Sequence, residues 1–149
     1  MSILNGAYAP ETLLPDPAPF GKFDVTGTVD LPNAMDTDTL DTPDGKLLVA
    51  AGRCKLMILR LKDGVPELIS ELSGLGDSRQ IMISDGFAYV TARADGLYIC
   101  DLRDYRNPKL VRRLDTLELA TGVCAADGLL AVTNRHMGCE LWDVRDPYN

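Results

Sequence analysis

From about residue 39 onward, short apolar runs alternate with polar turn residues, and no stretch sustains the 3.6-residue period of an amphipathic helix. Lys46-Leu47-Leu48-Val49-Ala50-Ala51, Phe87-Ala88-Tyr89-Val90-Thr91 and Leu129-Leu130-Ala131-Val132-Thr133 are too short for helices and rich in strand formers, so each predicts a buried strand. Each follows an Asp-Gly pair: Asp44-Gly45, Asp85-Gly86 and Asp127-Gly128, spaced by 41 and 42 residues. Another short run precedes the pair, clearest in Gln80-Ile81-Met82-Ile83-Ser84 and Gly122-Val123-Cys124-Ala125-Ala126. The Asp-Gly pairs therefore predict tight hairpin turns, which need residues that tolerate positive φ.

A third run recurs at the same offsets: residues 56–61, 97–102 and 139–144. Polar segments containing Pro66 and Pro108 then break the pattern, since proline cannot donate to a central ladder. Beyond each proline, residues 67–72 and 109–114 mix apolar pairs with charges, as a partly covered outer strand does. Four antiparallel strands in a period of about 42 residues, growing more polar toward the last, predict an all-β chain built of β-propeller blades.

The repeat also resembles the LVIVD-repeat β-propellers. Leu97-Tyr98-Ile99-Cys100-Asp101, followed by Leu102-Arg103-Asp104 and Asn107-Pro108, matches the pentad best. Cys139-Glu140-Leu141-Trp142-Asp143, with Val144-Arg145-Asp146-Pro147, departs at its first two positions, and Leu56-Met57-Ile58-Leu59-Arg60 lacks the aspartate. The resemblance runs from about Thr39 to the end and implies a propeller fold without an assigned reaction. Trp142-Asp143 alone leaves a WD40 blade as a minor alternative, because no Gly-His precedes the repeat and the other units lack the pair.

Residues 1–22, with Pro10, Pro15, Pro17 and Pro19, read as an irregular arm. Residues 23–31 alternate apolar and small polar side chains, as an outer strand ahead of the first unit would. The units then occupy 39–73, 79–116 and 121–149, the last one strand short, giving twelve strands or about three blades. Propellers usually have four to eight. Two completions remain open: the remainder of a longer propeller, or a second copy closing a six-bladed ring, with residues 23–31 of each chain completing the last unit of the other.

A formal charge of -7 in 149 residues argues against a nucleic-acid partner, which would need a positive surface. No apolar run is long enough for a membrane helix, and the first residues lack the basic head and apolar middle of a signal peptide. The cytoplasm is thus the default location, with export left open. Cys54, Cys100, Cys124 and Cys139 form no C-x-x-C pair, and His136 is the only histidine, so no metal site or cofactor is expected. Cys100, Cys124 and Cys139 lie inside apolar stretches, where a free cysteine reads as a small hydrophobe, with a disulfide between repeats as the alternative.

Arginine recurs in the loops between second and third strands, as Arg53, Arg93 and Arg135, and Arg79 enters the same end of the fold. Guanidinium groups collected there could bind a small anion at the channel mouth, or could pair with acids such as Asp77, Asp95 or Glu118 to lock neighbouring units. His136, beside Arg135, is the one side chain suited to acid–base work near neutrality, but it has no spaced nucleophile or orienting acid. Asp101/Arg103/Asp104 and Asp143/Arg145/Asp146 read as turn formers, and Gly74-Leu75-Gly76 lacks the strand-to-helix setting of a dinucleotide loop. The expectation is a noncatalytic binding or assembly scaffold. The alternative is an enzyme or ligand-binding protein using Arg53, Arg79, Arg93, Arg135 and His136 on an anionic small molecule.

Overall fold

The computed structural model describes Thr28 and residues 30–149, and every regular element among them is a β-strand. Eleven strands form three antiparallel sheets. The first contains β1 (Ala34–Thr42), β2 (Gly45–Gly52), β3 (Lys55–Lys62) and β4 (Val65–Ser73) in that spatial order. The second contains β5 (Gln80–Ser84), β6 (Phe87–Thr91), β7 (Leu97–Asp101) and β8 (Lys109–Leu114), again in order. The third contains β9 (Ala120–Ala126), β10 (Leu129–Asn134) and β11 (Gly138–Asp143). The expected outer strand at 23–31 and the arm at 1–22 lie outside the described residues, apart from Thr28, Asp30 and Leu31, which are not in a strand.

Alternation of side chains across each strand explains the continuous apolar runs. In β6, Ala88 and Val90 face the first sheet, whereas Phe87 and Tyr89 face the third, and all are buried. In β7, Tyr98 and Cys100 point one way, Leu97 and Ile99 the other. The second sheet is thus covered on both faces. Leu47, Val49, Leu56 and Ile58 meet it from the first sheet, and Leu130, Val132, Ala125 and Val144 from the third. The first strands β1, β5 and β9 lie side by side.

Asp85-Gly86 and Asp127-Gly128 occupy two-residue turns with φ of 51° and 76°, and 52° and 75°. The first Asp-Gly differs. Thr42 pairs with Gly45, so Pro43 and Asp44 form the turn and only Gly45 has positive φ, because proline cannot adopt it. Strand β1 also begins at Ala34, ahead of the expected start at Thr39, through a polar stretch with no apolar run to mark it.

Pro66 is a second correction, since it lies within β4 rather than in a break. Asp63-Gly64 forms another tight turn closed by the Lys62–Val65 pair. The next pair, Leu61–Pro66, is then the one that needs no N–H from proline. The pairing of β3 with β4 shifts between Ile58 and Leu59, and that of β7 with β8 between Ile99 and Cys100. These bulges turn Ile69 and Val111 onto the apolar clusters, where Leu72 and Leu114 of the same outer strands also pack. Among the described residues, no helix is long and apolar enough to cross a membrane.

Candidate functional site

The connections between second and third strands share one end of the molecule with the links between sheets, because main-chain bonds tie them together. Cys54 N–H donates to Gly76 O at 2.8 Å, Arg93 and Ala120 exchange N–H to O bonds at 3.2 and 3.1 Å, and Arg135 N–H donates to Leu119 O at 3.1 Å. Arg53, Arg79, Arg93, Arg135 and His136 therefore all lie at this end.

Three of these arginines converge on one carboxylate. Arg79 Nη2 donates to Asp77 Oδ2 at 3.3 Å, Arg93 Nε stands 3.5 Å from the same oxygen, and Arg53 Nε stands 3.7 Å from Oδ1. Asp77 sits in the link from β4 to β5, Arg53 in the β2–β3 turn and Arg93 in the β6–β7 loop. The carboxylate thus ties a turn of the first sheet to a loop of the second. All three pairs are partly solvated, so each contributes little by itself. Beside them is an open depression of about 410 Å³ lined by Met35, Asp36, Arg79, Gln80, Arg93 and Thr121.

Arg135 and His136 are not part of this convergence. Both are exposed in the β10–β11 turn, and the His136 main-chain N–H donates to Glu118 Oε2 at 2.6 Å. Asp95 stands against Gly76. Of the three acids expected from the sequence as partners for arginine, Asp77 is the one that gathers them. Among the described residues, no group of three or more His, Cys, Asp or Glu is placed to hold a metal ion.

At the opposite end, each Asp-x-Arg segment closes on itself. Asp101 accepts from Arg103 main-chain N–H at 3.0 Å and from its guanidinium Nη2 at 2.6 Å, and Tyr148 OH donates to Asp101 Oδ2 at 2.5 Å. Asp143 accepts from Arg145 N–H at 3.1 Å and from its guanidinium. The Arg103 guanidinium holds the Asp101 carboxyl well below the usual carboxylate range, with the Tyr148 hydroxyl adding to the effect. Arg145 pushes Asp143 down to about 2. Arg103 also lies over the rings of Phe87 at 4.8 Å and Tyr148 at 5.9 Å, joining the segment after β11 to the second sheet. Tyr105 OH donates to Asp44, and Ser70 Oγ to Tyr105 O at 2.5 Å, joining the second sheet to the first. The tyrosine contacts have no local sequence signal, whereas the Asp-x-Arg turns were legible as spaced polar triplets.

The third sheet presents a second candidate surface. The row Cys124–Ala131–Leu141 runs across it, with Leu129 and Cys139 beside it. Leu129 is 51% and Leu141 68% exposed, and both cysteines are exposed. The row 42 residues earlier, Met82–Tyr89–Ile99, is packed against the third sheet. Strands β3 and β7 have outer partners in β4 and β8, whereas β11 has none among the described residues. Tyr98 and Trp142 both pack in the clusters between sheets.

No family model and no curated protein matches the chain. Among solved structures it is similar to one described as the crystal structure of the computationally designed Ika4 protein, with a TM-score of 0.45 and 7% sequence identity over 83% of this chain and 98% of that one. That likeness is too slight to assign a shared fold.

Proposed function

We propose that the three sheets are successive blades of a β-propeller, and that the protein is a noncatalytic binding and assembly scaffold whose third sheet docks on a second copy of itself. The side-by-side first strands, the double burial of the second sheet and the sequence resemblance to LVIVD-repeat propellers support this reading. The observation that carries it is the exposed row Cys124–Ala131–Leu141. Within this chain, the matching row of the second sheet is covered by another sheet of the same build. An exposed apolar sheet face beside an edge strand that has no partner among the described residues is a surface that natural proteins cover.

The second copy fits both needs. Its residues 23–31 have the alternation of an outer strand and would pair along β11. Its first sheet carries an outward cluster of Leu48, Ala50, Met57 and Leu59, on which its own Leu31 and Ala34 lie. Passing residues 23–31 to the other copy carries Leu31 off that face, an exchange of one element between subunits that readily gives dimers. Four unpaired cysteines, three of them exposed, suit a reducing compartment and support the cytoplasm as the location.

Sedimentation equilibrium over a concentration series tests the proposal. The expected result is association to twice 16.2 kDa, abolished by Leu141→Asp with the strand signal in circular dichroism retained. A wild-type chain that stays monomeric throughout, or a Leu141→Asp variant that dimerises equally well, would overturn it.

A further inference from the structure

We infer that the arginine end of the first and second sheets binds a small molecule bearing one compact oxyanion, held between Arg79 and Arg93 in the depression they share with Gln80 and Thr121. This site goes beyond the assembly reading and does not depend on it.

Charge is the first reason. One carboxylate, Asp77, faces three guanidinium groups, and only the Arg79 contact is of hydrogen-bond length. Arg79 Nε is buried without a hydrogen-bond partner, and so is Asp77 Oδ1, so this carboxylate does not saturate the guanidinium groups around it. Guanidinium groups hold carboxylate and phosphate oxygens through a planar fork, so two arginines reaching the same Asp77 oxygen can also share a second anion above it.

The neutral lining agrees. Gln80 Oε1 accepts the Val123 N–H at 3.0 Å, which leaves the amide NH2 as the end that can donate into the depression. Thr121 adds a hydroxyl whose single proton, donated to Thr133 O at 3.1 Å, reaches an anion in the depression only by rotating away from that carbonyl. Asp36 also lines the depression, but its two oxygens accept N–H bonds from Thr37 at 2.9 Å and Ile81 at 3.0 Å. Its carboxylate lines the depression beside the two arginines, and together with the chain's net charge of -7 it opposes the accumulation of negative charge that a polyanion would bring. The ligand class is therefore a small monophosphate or carboxylate, not a nucleic acid.

Isothermal titration of the full chain with inorganic phosphate, and separately with acetate, at ionic strength matched by chloride, tests the site and separates the two oxyanion types. Saturable binding of at least one is expected, weakened about tenfold or more in Arg93→Gln and unchanged in Arg135→Gln, because a charge-assisted hydrogen bond is lost only in the first. No saturable binding, or equal affinity in Arg93→Gln, would refute the site. Should Arg93→Gln fail to fold, amide shifts of the wild-type chain decide instead. Phosphate- or acetate-dependent changes centred on Arg79, Gln80, Arg93 and Thr121 support the site, and changes centred elsewhere or none at all overturn it.

Discussion

The carboxylate of Asp38 accepts the main-chain N–H of Ile83 at 2.7 Å, across the gap between the first strands of two different sheets. Asp36 does the same for Ile81 at 3.0 Å, and Gln80 for Val123 at 3.0 Å across the next gap. Among the described residues, strands β1, β5 and β9 are edges of their sheets and would otherwise present unpaired N–H groups. Side chains rather than main-chain carbonyls supply the acceptors, so the sheets stay separate while their edges are satisfied. Gly122 belongs to this device, because a Cβ there would stand 3.3 Å from Gln80 Oε1 and 2.5 Å from Thr133 Oγ1.

Replacing Asp38 with alanine should therefore destabilise the fold by about 1–3 kcal/mol, the usual cost of leaving a partly buried N–H without its acceptor. Asp38→Asn keeps a carbonyl oxygen at the same reach and should lose much less. Urea denaturation of both variants checks this. Equal midpoints for Asp38→Ala and the wild type would show that the bond to Ile83 carries nothing.

The Asp101–Arg103–Tyr148 cluster predicts a stability window in pH. The folded-state pKa of Asp101 is depressed by Arg103, so its stabilising contribution is complete above the ordinary carboxylate value of 3.8 and is lost as pH falls through the folded value. Asp143, brought down to about 2 by Arg145, acts in the same direction. The pKa of Tyr148 is raised from 10.0, chiefly by its bond to Asp101, so its contribution is complete below that value and fades as pH climbs past it. Denaturation midpoints measured across the pH range should fall at both ends. Asp101→Asn should flatten the acid limb and Tyr148→Phe the alkaline limb, and unchanged limbs in both variants would remove the cluster from the account.

How much was legible in the sequence depended on whether a residue's role was local. Strands β6 and β8 run as read, from Phe87 to Thr91 and from Lys109 to Leu114, because apolar runs and flanking turn residues are local signals. The start of β1 was not legible, since Asp36 and Asp38 look like loop residues until β5 stands beside them. Pro66 looked like a break because its tolerance depends on which face of an outer strand its nitrogen meets. Arg53, Arg93 and Arg135 are found by their recurrence, and Arg79 by its place in the link that enters β5. That three of them would share Asp77, and that Arg135 would not, follows from the placement of the β4–β5 link, which no spacing encodes.

The cysteines offer a direct reading of which faces are covered. Cys100 is fully buried between the first and second sheets, and burial pushes its thiol up to about 12. Cys54, Cys124 and Cys139 are exposed. A disulfide reagent must reach the sulfur, so three exposed thiols should be labelled in the folded chain and the buried fourth only after unfolding. Cys124 and Cys139 lie on the exposed face of the third sheet, whereas Cys54 sits in the β2–β3 turn at the arginine end. If the third sheet docks on a second copy, raising the protein concentration should slow reaction at Cys124 and Cys139 while leaving Cys54 unchanged, as mass spectrometry of the labelled peptides would show. A fast-reacting Cys100 in the folded chain would contradict the packing of the first sheet on the second. Concentration-independent labelling of Cys124 and Cys139 would leave that packing intact and count against association through the third sheet.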